Sequence, residues 1–479
     1  MYIFIKSRLY EPKRNMPDFM SIKIPRIYLY RVVMGIGLIT LLVASHGCTF
    51  FTPRPKNVLR TVFRTAPHAE SVQTQKFSRT MDRVTGTTAT GDNRVQLLIN
   101  GYETFPAMLA AIENAEKSVS LDIYKIRMDR MGTLFYRALI RAAQRGVRVR
   151  FIYDAYGSRK VVYNDFAELV DVGGEVCVFN PVLWLTFLRV NNRNHQKILV
   201  VDGRIAFLGG LNLAEEYDGD GQNGWRDTAI RIEGPAACDA ERIFNESWLQ
   251  GGMGFIGKDL PVVGINHLKR PFDSPLVKLL DLEGESCLPD QYPAAGGTAQ
   301  VRIVSSDPHS WNSTIVDQYL LAINSARARI DITCAYFVPP LVLRRALVQA
   351  AQRGVRVRLI LPGPTDVPLV RTVSVGYYGS LLKHGVEIYE WDSSVLHAKT
   401  VVVDGIWSSI GSANFDGRAL FLSYEANAVA IDRPLATAIH EQFERDLLHC
   451  HRVTLREWQE RPLNQRIVAI LLSPFAGQF

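Results

Sequence analysis

Two short motifs in the chain combine a histidine with a lysine two residues later. His195 and Lys197 form the first motif, and His397 and Lys399 form the second. An imidazole attacks phosphorus when it is neutral and donates a proton when it is protonated, whereas a lysine ammonium is a point charge for a phosphate oxygen. Because the same two residue types occur twice, the sequence predicts phosphoryl transfer through an active-site histidine.

Both motifs continue in the same way. Four residues separate the lysine from an aspartate–glycine pair, and a glycine-containing segment that ends in asparagine follows. Aspartate–glycine is a strong hairpin-turn signal, so Ile198–Val201 and Ile205–Leu208 are predicted to be paired strands. Residues two apart on a strand face the same side, which brings the histidine and the lysine together. The aspartates and asparagines of the two copies are Asp202 and Asn212, and Asp404 and Asn414.

These aspartates and asparagines are predicted to differ in role. An asparagine side chain adds two amide donors for phosphate oxygens, and the glycines before it let the backbone approach closely. The aspartates lie at the predicted turns, so we expect Asp202 and Asp404 to shape the hairpins rather than to touch phosphate. The identical spacing of the two copies favours an active site over the alternative, two core hairpins whose polar groups are satisfied.

A nine-residue sequence occurs twice without a change, at 142–150 and at 350–358. In each copy a predicted helix ends at a glycine, Gly146 or Gly354, and an apolar strand follows. Glycine suits the left-handed residue that ends a helix. Helices that alternate with apolar strands are typical of an α/β fold. The sequence therefore predicts two duplicated α/β lobes, packed with pseudo-twofold symmetry, with the active site at their interface.

The predicted organisation has six parts. Proline and glycine in the middle of the chain indicate a connection between the lobes rather than a third core. The parts are a signal-like or anchor segment (1–48), a polar linker (49–92), the first lobe (93–260), the connection (261–298), the second lobe (299–460) and an apolar tail (461–479).

The N-terminal part predicts export. Val32–Ala44 is an uncharged, mostly apolar run preceded by basic residues, which fits the h-region of a signal peptide and is short for a membrane span. Cys48 follows, and its surroundings resemble a bacterial lipoprotein box, in which the cysteine is lipidated. An uncleaved hydrophobic anchor is the alternative. Both alternatives predict a protein attached to the membrane near its N-terminus.

The composition is that of a folded, basic protein. Apolar residues make up 47% of the 479 residues and charged residues 21%, which excludes a disordered chain. The formal net charge of +8 suits a polyanion, either nucleic acid or anionic lipid. Six cysteines occur without a CxxC pair or a Cys/His metal spacing, so neither a zinc site nor a dense disulfide framework is expected.

Together these motifs resemble the phospholipase D superfamily. Its signature, His-x-Lys-x4-Asp followed by a Gly-Gly or Gly-Ser segment and an asparagine, is complete in both copies, and the resemblance runs from about residue 93 to 460. Within the superfamily the chain is most similar to the bacterial cardiolipin synthases. This similarity rests on Gly157-Ser158, on 225–227 and 231–235, on 423–425 and on 471–474.

The resemblance implies a role for each motif residue. His195 would attack phosphorus and carry the phosphatidyl group as a phosphohistidine, while His397 would act as acid and then as base; the reverse assignment stays open. Asp227 and Glu425 would orient the histidine of the opposite lobe, the alternative being that they are surface charges. No metal ion or other cofactor is implied. The phosphate oxygens would be held by Lys197, Lys399, Asn212 and Asn414.

Features outside the motifs favour a lipid substrate. Val182–Leu188 and Ile467–Phe475 are apolar and would contact lipid, unless they pack in the core. Lysine and arginine outnumber aspartate and glutamate by only 55 to 47, and no long basic run with aromatic residues indicates a nucleic-acid track. The resemblance implies a phosphatidyltransferase that makes cardiolipin from phosphatidylglycerol and a second lipid or alcohol, at a membrane and without an obligate protein partner. A hydrolytic phospholipase D, a nuclease of the same fold and a non-enzymatic membrane scaffold are the alternatives.

Overall fold

The computed structural model describes residues 70–181, 192–251, 253–256, 260–263, 295–308 and 314–461. The segment 1–48 with Cys48, most of the connection 261–298 and the apolar runs 182–188 and 467–475 lie outside these residues. Within the described ranges, no helix has the length and apolar character needed to cross a bilayer.

The first lobe is built on one mixed sheet flanked by helices. The strands of this lobe are β1 (Thr90–Ile99), β2 (Ser118–Ile123), β3 (Arg148–Asp154), β4 (Glu175–Phe179), β5 (Arg193–Asn194), β6 (Lys197–Val201), β7 (Ile205–Gly209), β8 (Thr228–Glu233), β9 (Met253–Ile256) and β10 (Leu260–Val263). β5 pairs with a strand of the second lobe, and the other nine form the sheet. Helix α1 (Gln75–Thr85) precedes the lobe, and the helices of the lobe are α2 (Asn100–Glu113), α3 (Arg130–Gln144), α4 (Ala167–Asp171) and α5 (Ala236–Gln250). The strand order is β1-β8-β7-β6-β2-β3-β4-β9-β10, with β2, β3 and β4 parallel and the other pairs antiparallel.

The second lobe repeats this plan. Its strands are β11 (Ala299–Ser306), β12 (Arg329–Cys334), β13 (Arg356–Pro362), β14 (Glu387–Trp391), β15 (Lys399–Val403), β16 (Trp407–Gly411), β17 (Ser423–Ile431) and β18 (Cys450–Val453). Its helices are α6 (Thr314–Ser325), α7 (Leu341–Gln352), α8 (Pro368–Lys383), α9 (Gly417–Phe421), α10 (Arg433–Leu447) and α11 (Leu455–Glu460). The order β11-β17-β16-β15-β12-β13-β14-β18 matches the first eight positions of the first sheet, and β12, β13 and β14 are again parallel.

The repeated nine-residue sequence has the predicted structure in both lobes. α3 and α7 end two residues before Gly146 and Gly354, whose φ angles are 86° and 89°. These left-handed conformations favour glycine, and β3 and β13 begin two residues later. The prediction of two duplicated α/β lobes is confirmed.

The two lobes share an apolar core between their sheets. Alternation along β6 explains how: Leu199 and Val201 point into the core of the first lobe, whereas Ile198 and Val200 point toward the second lobe. α5 and α10 cover the two sides of this interface. The first lobe contributes Ile198, Val200, Leu208, Ile230 and Ile232, and the second contributes Val402, Ile410, Ala426, Ala428 and Ala430.

Part of the segment predicted to be a linker is a helix. α1 begins after Thr74, whose side chain accepts a hydrogen bond from an amide of the first turn, and it ends at Gly86 in the left-handed conformation. Phe77 and Met81, four residues apart, are buried in the core of the second lobe. The linker prediction was wrong for residues 75–85, because the apolar side chains on one face of this helix are buried against the second lobe.

Candidate active site

Each histidine–lysine motif leads into a tight hairpin, as predicted. β6 pairs with β7 and β15 pairs with β16, both antiparallel. The turn residues have positive φ angles: 53° at Asp202, 63° at Gly203, 51° at Asp404 and 65° at Gly405. Positive φ at both central positions is the geometry of a type I′ turn, which suits aspartate followed by glycine.

The motif aspartates bind backbone amides. Asp202 Oδ1 accepts hydrogen bonds from the amides of Lys117 and Ser118 at 2.7 and 2.9 Å. Asp404 Oδ1 accepts equivalent bonds at 2.8 and 3.0 Å from amides at the start of β12. Each aspartate therefore ties its hairpin to the central strand of its own lobe.

His195 lies where the lobes meet. It follows β5, which pairs in parallel with β17 of the second lobe, and its amide donates to the carbonyl of Tyr424 at 2.9 Å. Its Nδ1 lies 2.8 Å from Oε1 of Glu425, a residue of the second lobe. The imidazole packs edge-on against Tyr124, with ring centroids 4.8 Å apart. Since Nδ1 is engaged, Nε2 is the nitrogen left for a substrate.

His397 has the complementary arrangement. Its amide donates to the carbonyl of Arg226 in the first lobe at 2.7 Å, and its Nδ1 lies 2.7 Å from Oδ2 of Asp227. The Arg226 guanidinium is itself buried in an ion pair with Asp446 of the second lobe, at 2.8 Å. The sheet contacts between the lobes thus give each histidine a carboxylate from the opposite lobe.

The two histidines differ in their aromatic neighbours. The ring centroids of Tyr217, Trp225 and Tyr336 lie 5.2, 5.4 and 6.1 Å from that of His397. The side chain of His397 is 4% exposed, against 15% for His195. His195 is therefore the more accessible of the two.

The motif lysines are buried beside their own histidines. Lys197 Nζ donates to the carbonyl of His195 at 2.6 Å, and it lies 5.2 Å from the ring centroid of Tyr124. Lys399 Nζ donates to the carbonyl of His397 and lies 2.8 Å from the Nδ1 of that histidine. Both lysine side chains therefore contact the histidine of their own motif.

Burial keeps both imidazoles neutral before a substrate binds. It places the pKa of His195 well below the usual value, and the nearby charges of Lys197 and Lys399 act in the same direction. The pKa of His397 falls to about 4 because of burial and Lys399, although Asp227 opposes this shift.

Burial also changes the pKa values of the groups around the imidazoles. It lowers the pKa of Lys197 to about 7 and that of Lys399 below its usual value. It raises the pKa of Glu425 well above its usual value, and the charge of Lys197 opposes that rise. A bound phosphate, which is anionic, would favour the protonated form of both lysines.

Asn212 and Asn414 occupy equivalent positions after the two hairpins. Asn212 Oδ1 accepts a hydrogen bond from the amide of Lys125 at 3.1 Å, and Asn414 Oδ1 accepts one from the amide of Tyr336 at 3.3 Å. Asn212 Nδ2 donates to the hydroxyl of Tyr217 at 2.7 Å. Each asparagine is thereby fixed to the loop that follows the central strand of its lobe.

Gly210, two residues before Asn212, allows the carboxylate of Asp227 to lie close to the backbone. A Cβ atom at Gly210 would lie 2.2 Å from Oδ1 of Asp227. Any larger residue there would displace the carboxylate that contacts His397.

A cavity of about 700 Å³ lies between the lobes. Both histidines, both motif asparagines and Glu425 line it; the motif lysines, the motif aspartates and Asp227 do not. No group of three or more His, Cys, Asp or Glu side chains within the described ranges is arranged to bind a metal ion.

The cavity lining also has six cations that were not predicted from the sequence: Lys125, Arg127, Arg159, Lys160, Arg193 and Arg418. They lie outside the repeated motifs: Arg193 is in β5, Arg418 is in α9 and the other four are on loops, and the fold brings them together.

Comparison with known proteins assigns the chain to a family. The model of the family "Cardiolipin synthase, PLD-like domain" matches residues 108–248 and 319–447, more than half of the chain. Cardiolipin synthase of Geobacillus kaustophilus (strain HTA426) is 34% identical over 429 residues, which cover 88% of this chain and 76% of that protein. The major cardiolipin synthase ClsA of Bacillus subtilis (strain 168) is 35% identical over 391 residues, which cover 80% of this chain and 76% of that protein.

A solved structure shares the fold. Phosphatidylserine synthase of Haemophilus influenzae Rd KW20 superposes with a TM-score of 0.60 at 16% identity, covering 84% of this chain and 97% of that one. The duplicated sheets, the paired histidine motifs and these matches agree, and the chain belongs to the phospholipase D-like family of cardiolipin synthases.

Proposed function

We propose that the protein transfers a phosphatidyl group from phosphatidylglycerol to a hydroxyl of a second glycerol-bearing lipid, forming cardiolipin. The observation that supports this best is the pair of histidines at one cavity, each hydrogen-bonded to a carboxylate of the opposite lobe. One histidine can attack phosphorus while the other exchanges a proton with an alcohol.

In the first step, Nε2 of His195 attacks the phosphorus of phosphatidylglycerol. The bond from phosphorus to the oxygen of the headgroup glycerol breaks. That oxygen takes the proton from Nε2 of His397, and the diacylglycerol side stays on phosphorus. The greater exposure of His195 and its low pKa suit the nucleophile. The phosphodiester brings a negative charge that favours protonation of His397, which is neutral in the empty site.

In the second step, the hydroxyl oxygen of the acceptor attacks phosphorus and gives its proton to His397. The phosphorus–nitrogen bond breaks and His195 is regenerated. Lys197, Lys399, Asn212 and Asn414 would hold the phosphate oxygens in both steps. For the two lysines this requires the side chains to turn away from their histidine carbonyls toward phosphate.

Transfer must compete with hydrolysis, because water gives phosphatidic acid from the same intermediate. Positioning of the acceptor can be worth an effective molarity of about 10⁵ M or more, and apolar surface lowers the access of water. Tyr217, Trp225 and Tyr336 provide such surface beside His397. A lone water among rings has few hydrogen-bond partners, whereas a lipid acceptor has other groups to anchor it.

The test is to give purified protein phosphatidylglycerol in mixed micelles and to measure both products. We expect cardiolipin to exceed phosphatidic acid. We also expect that His195→Ala and His397→Ala each form neither product, while the circular dichroism spectrum stays that of the wild type. A dominance of phosphatidic acid would instead identify a hydrolytic phospholipase D. Cleavage of single-stranded DNA without action on lipid would identify a nuclease.

We also propose that the N-terminal part attaches the protein to a bacterial membrane, with lipid on Cys48 after export. The support is the apolar run Val32–Ala44 followed by that cysteine. Fatty-acid labelling and intact-mass analysis of the wild type and Cys48→Ala provide the test. If the variant is processed and attached like the wild type, the apolar run is an uncleaved anchor.

A further inference from the structure

The cations of the cavity wall are distributed unequally between the two lobes. Lys125 lies on the loop after β2, and its duplicated counterpart after β12 is Tyr336. The equivalence is structural, because the amide of each residue donates to Oδ1 of its lobe's motif asparagine, at 3.1 and 3.3 Å. The same loop of the fold thus carries a cation in one lobe and a neutral ring in the other.

Arg127 has a neutral counterpart as well. Its amide donates to the carbonyl of Leu213 at 3.0 Å, and the amide of Val338 makes the equivalent bond to the carbonyl of Phe415 at 2.8 Å. Since the second lobe folds with Tyr336 and Val338, the fold itself does not require the two cations of the first lobe. Their presence at the cavity therefore points to a ligand.

Lys125 and Arg127 share one carboxylate. Lys125 Nζ lies 2.5 Å from Oε1 of Glu216, and a terminal nitrogen of Arg127 lies 2.8 Å from Oε2. The side chains of Lys125, Arg127 and Glu216 are 19%, 38% and 18% exposed, and all three line the cavity. Two cations and one carboxylate leave one positive charge, which is complementary to a phosphodiester monoanion.

This group lies on the His397 side of the cavity. Lys125 Nζ is 5.9 Å from the ring centroid of Tyr217 and 5.6 Å from that of Trp225. The same two rings are 5.2 and 5.4 Å from the ring of His397. Lys125 and His397 therefore flank the same two rings, so an alcohol that exchanges its proton with His397 would lie on the side of the cavity that carries Lys125.

The acceptor in cardiolipin synthesis carries a phosphate of its own. Its reacting hydroxyl and its unreactive phosphodiester are at opposite ends of one glycerol headgroup, whereas free glycerol and water have no such phosphate. We propose that Lys125, Arg127 and Glu216 form an acceptor-phosphate subsite that binds the unreactive phosphodiester of the acceptor lipid. This inference rests on the proposed function and adds the group that selects a phospholipid acceptor over a small alcohol.

A competition between two acceptors tests the subsite. Purified full-length protein is given phosphatidylglycerol micelles together with labelled glycerol, so that one phosphohistidine partitions between cardiolipin and labelled phosphatidylglycerol. Effects on the donor cancel in the ratio of these products. We expect Lys125→Gln and Arg127→Gln each to lower the ratio of cardiolipin to labelled phosphatidylglycerol roughly 10-fold, as expected for a lost charge-assisted hydrogen bond.

Arg130→Gln is the matched control. Arg130 lies on the same stretch of chain and pairs with Asp218 and with Glu215, but the cavity lining does not include it. Its replacement removes one positive charge of the same lobe, and we expect the product ratio to stay that of the wild type. A general loss of attraction for anionic micelles would lower the ratio in this variant too, and would overturn the inference.

The remaining outcomes are also decisive. If both cavity variants and their double variant make the two products in the wild-type ratio, the subsite does not exist, even if total turnover falls. If the ratio falls while transfer to glycerol is retained, the subsite stands. If the wild type makes labelled phosphatidylglycerol or phosphatidic acid but no cardiolipin, the proposed function fails and the subsite fails with it.

Discussion

At the scale of single residues, each histidine of the candidate site contacts a carboxylate of the opposite lobe. Glu425 reaches Nδ1 of His195, and Asp227 reaches Nδ1 of His397. A carboxylate on Nδ1 fixes that proton and leaves the Nε2 lone pair directed at the substrate. The carboxylate on each Nδ1 therefore comes from the opposite lobe, in addition to the contacts that each histidine makes within its own lobe.

Conservative replacement of these carboxylates tests their positioning role. Asp227→Asn and Glu425→Gln keep the size of the side chain but replace one oxygen of the carboxyl group that contacts Nδ1 with an amide nitrogen. We expect kcat to fall roughly 10–100-fold in each variant with a smaller change in KM, and circular dichroism to remain that of the wild type. Steady-state kinetics on phosphatidylglycerol provide the measurement. Equal kcat values in wild type and variants would show that the pairs are structural only.

Lys197 provides a prediction about stability. Its pKa is about 7 in the folded protein, so its charged form is disfavoured by burial, whereas an unfolded lysine keeps its ordinary value near 10.4. The unfolded state binds more protons between these values, so this residue makes the protein less stable as pH falls from about 10 to 7. We expect Lys197→Met to be inactive yet more stable at pH 7, by up to about 4 kcal/mol.

The pH dependence separates this effect from simple packing. The advantage of Lys197→Met should shrink as the pH rises toward 10, because deprotonating the lysine on folding costs less as the pH approaches its pKa in the unfolded state. Urea unfolding at pH 7 and pH 9.5 gives the two values. Lys117→Met, at an exposed position, serves as the control and should show no such dependence. An advantage that is the same at both pH values would contradict the assignment of a desolvated ammonium group.

At the scale of elements, the sequence predicts what local chemistry determines. Aspartate–glycine determines the type I′ hairpins, and a glycine after a repeated helix determines where β3 and β13 begin. α1 was missed although Thr74 and Gly86 cap it, because its apolar face packs on α6, more than two hundred residues away. The cations of the cavity were missed for the same reason, since their positions relative to one another depend on the whole fold.

The hairpins yield a prediction about the motif aspartates. Asp202 adopts a left-handed backbone and accepts bonds from the amides of Lys117 and Ser118. Replacing it with alanine strains the turn and leaves these amides without their acceptor, so we expect a loss of about 1–3 kcal/mol in unfolding free energy. KM should be unchanged, because the carboxylate does not line the cavity.

Asparagine at this position is the matched variant. It tolerates the left-handed conformation and keeps an oxygen acceptor, so Asp202→Asn should recover part of the lost stability. Chemical denaturation and kinetics on the same preparations provide both readouts. A variant that keeps wild-type stability but loses activity would place Asp202 in the chemistry and not in the turn.

At the scale of the whole molecule, the interface that builds the site is also a hydrophobic core. Along β6 and β15, side chains point alternately into the core of their own lobe and into the interface between the lobes. A change in the packing of one lobe should therefore move the other. The near-symmetric scaffold nevertheless presents different chemistry at its centre, with Lys125 and Arg127 in one lobe where the other has Tyr336 and Val338. Duplication of the lobe gives the site two histidines. The difference between the two loops gives it the cations that we propose select a phospholipid acceptor.

The shared core predicts that the two lobes unfold together. Ile232 of the first lobe and Ile410 of the second are both buried at the interface, and each replacement by alanine should cost about 2–5 kcal/mol. Because the interface belongs to both lobes, either replacement should lower hydrogen-exchange protection in β3 and in β13 alike, and calorimetry should show one transition at a lower temperature. Two resolved transitions, or a loss of protection confined to the lobe that carries the substitution, would show that the lobes are independent domains that meet only at the active site.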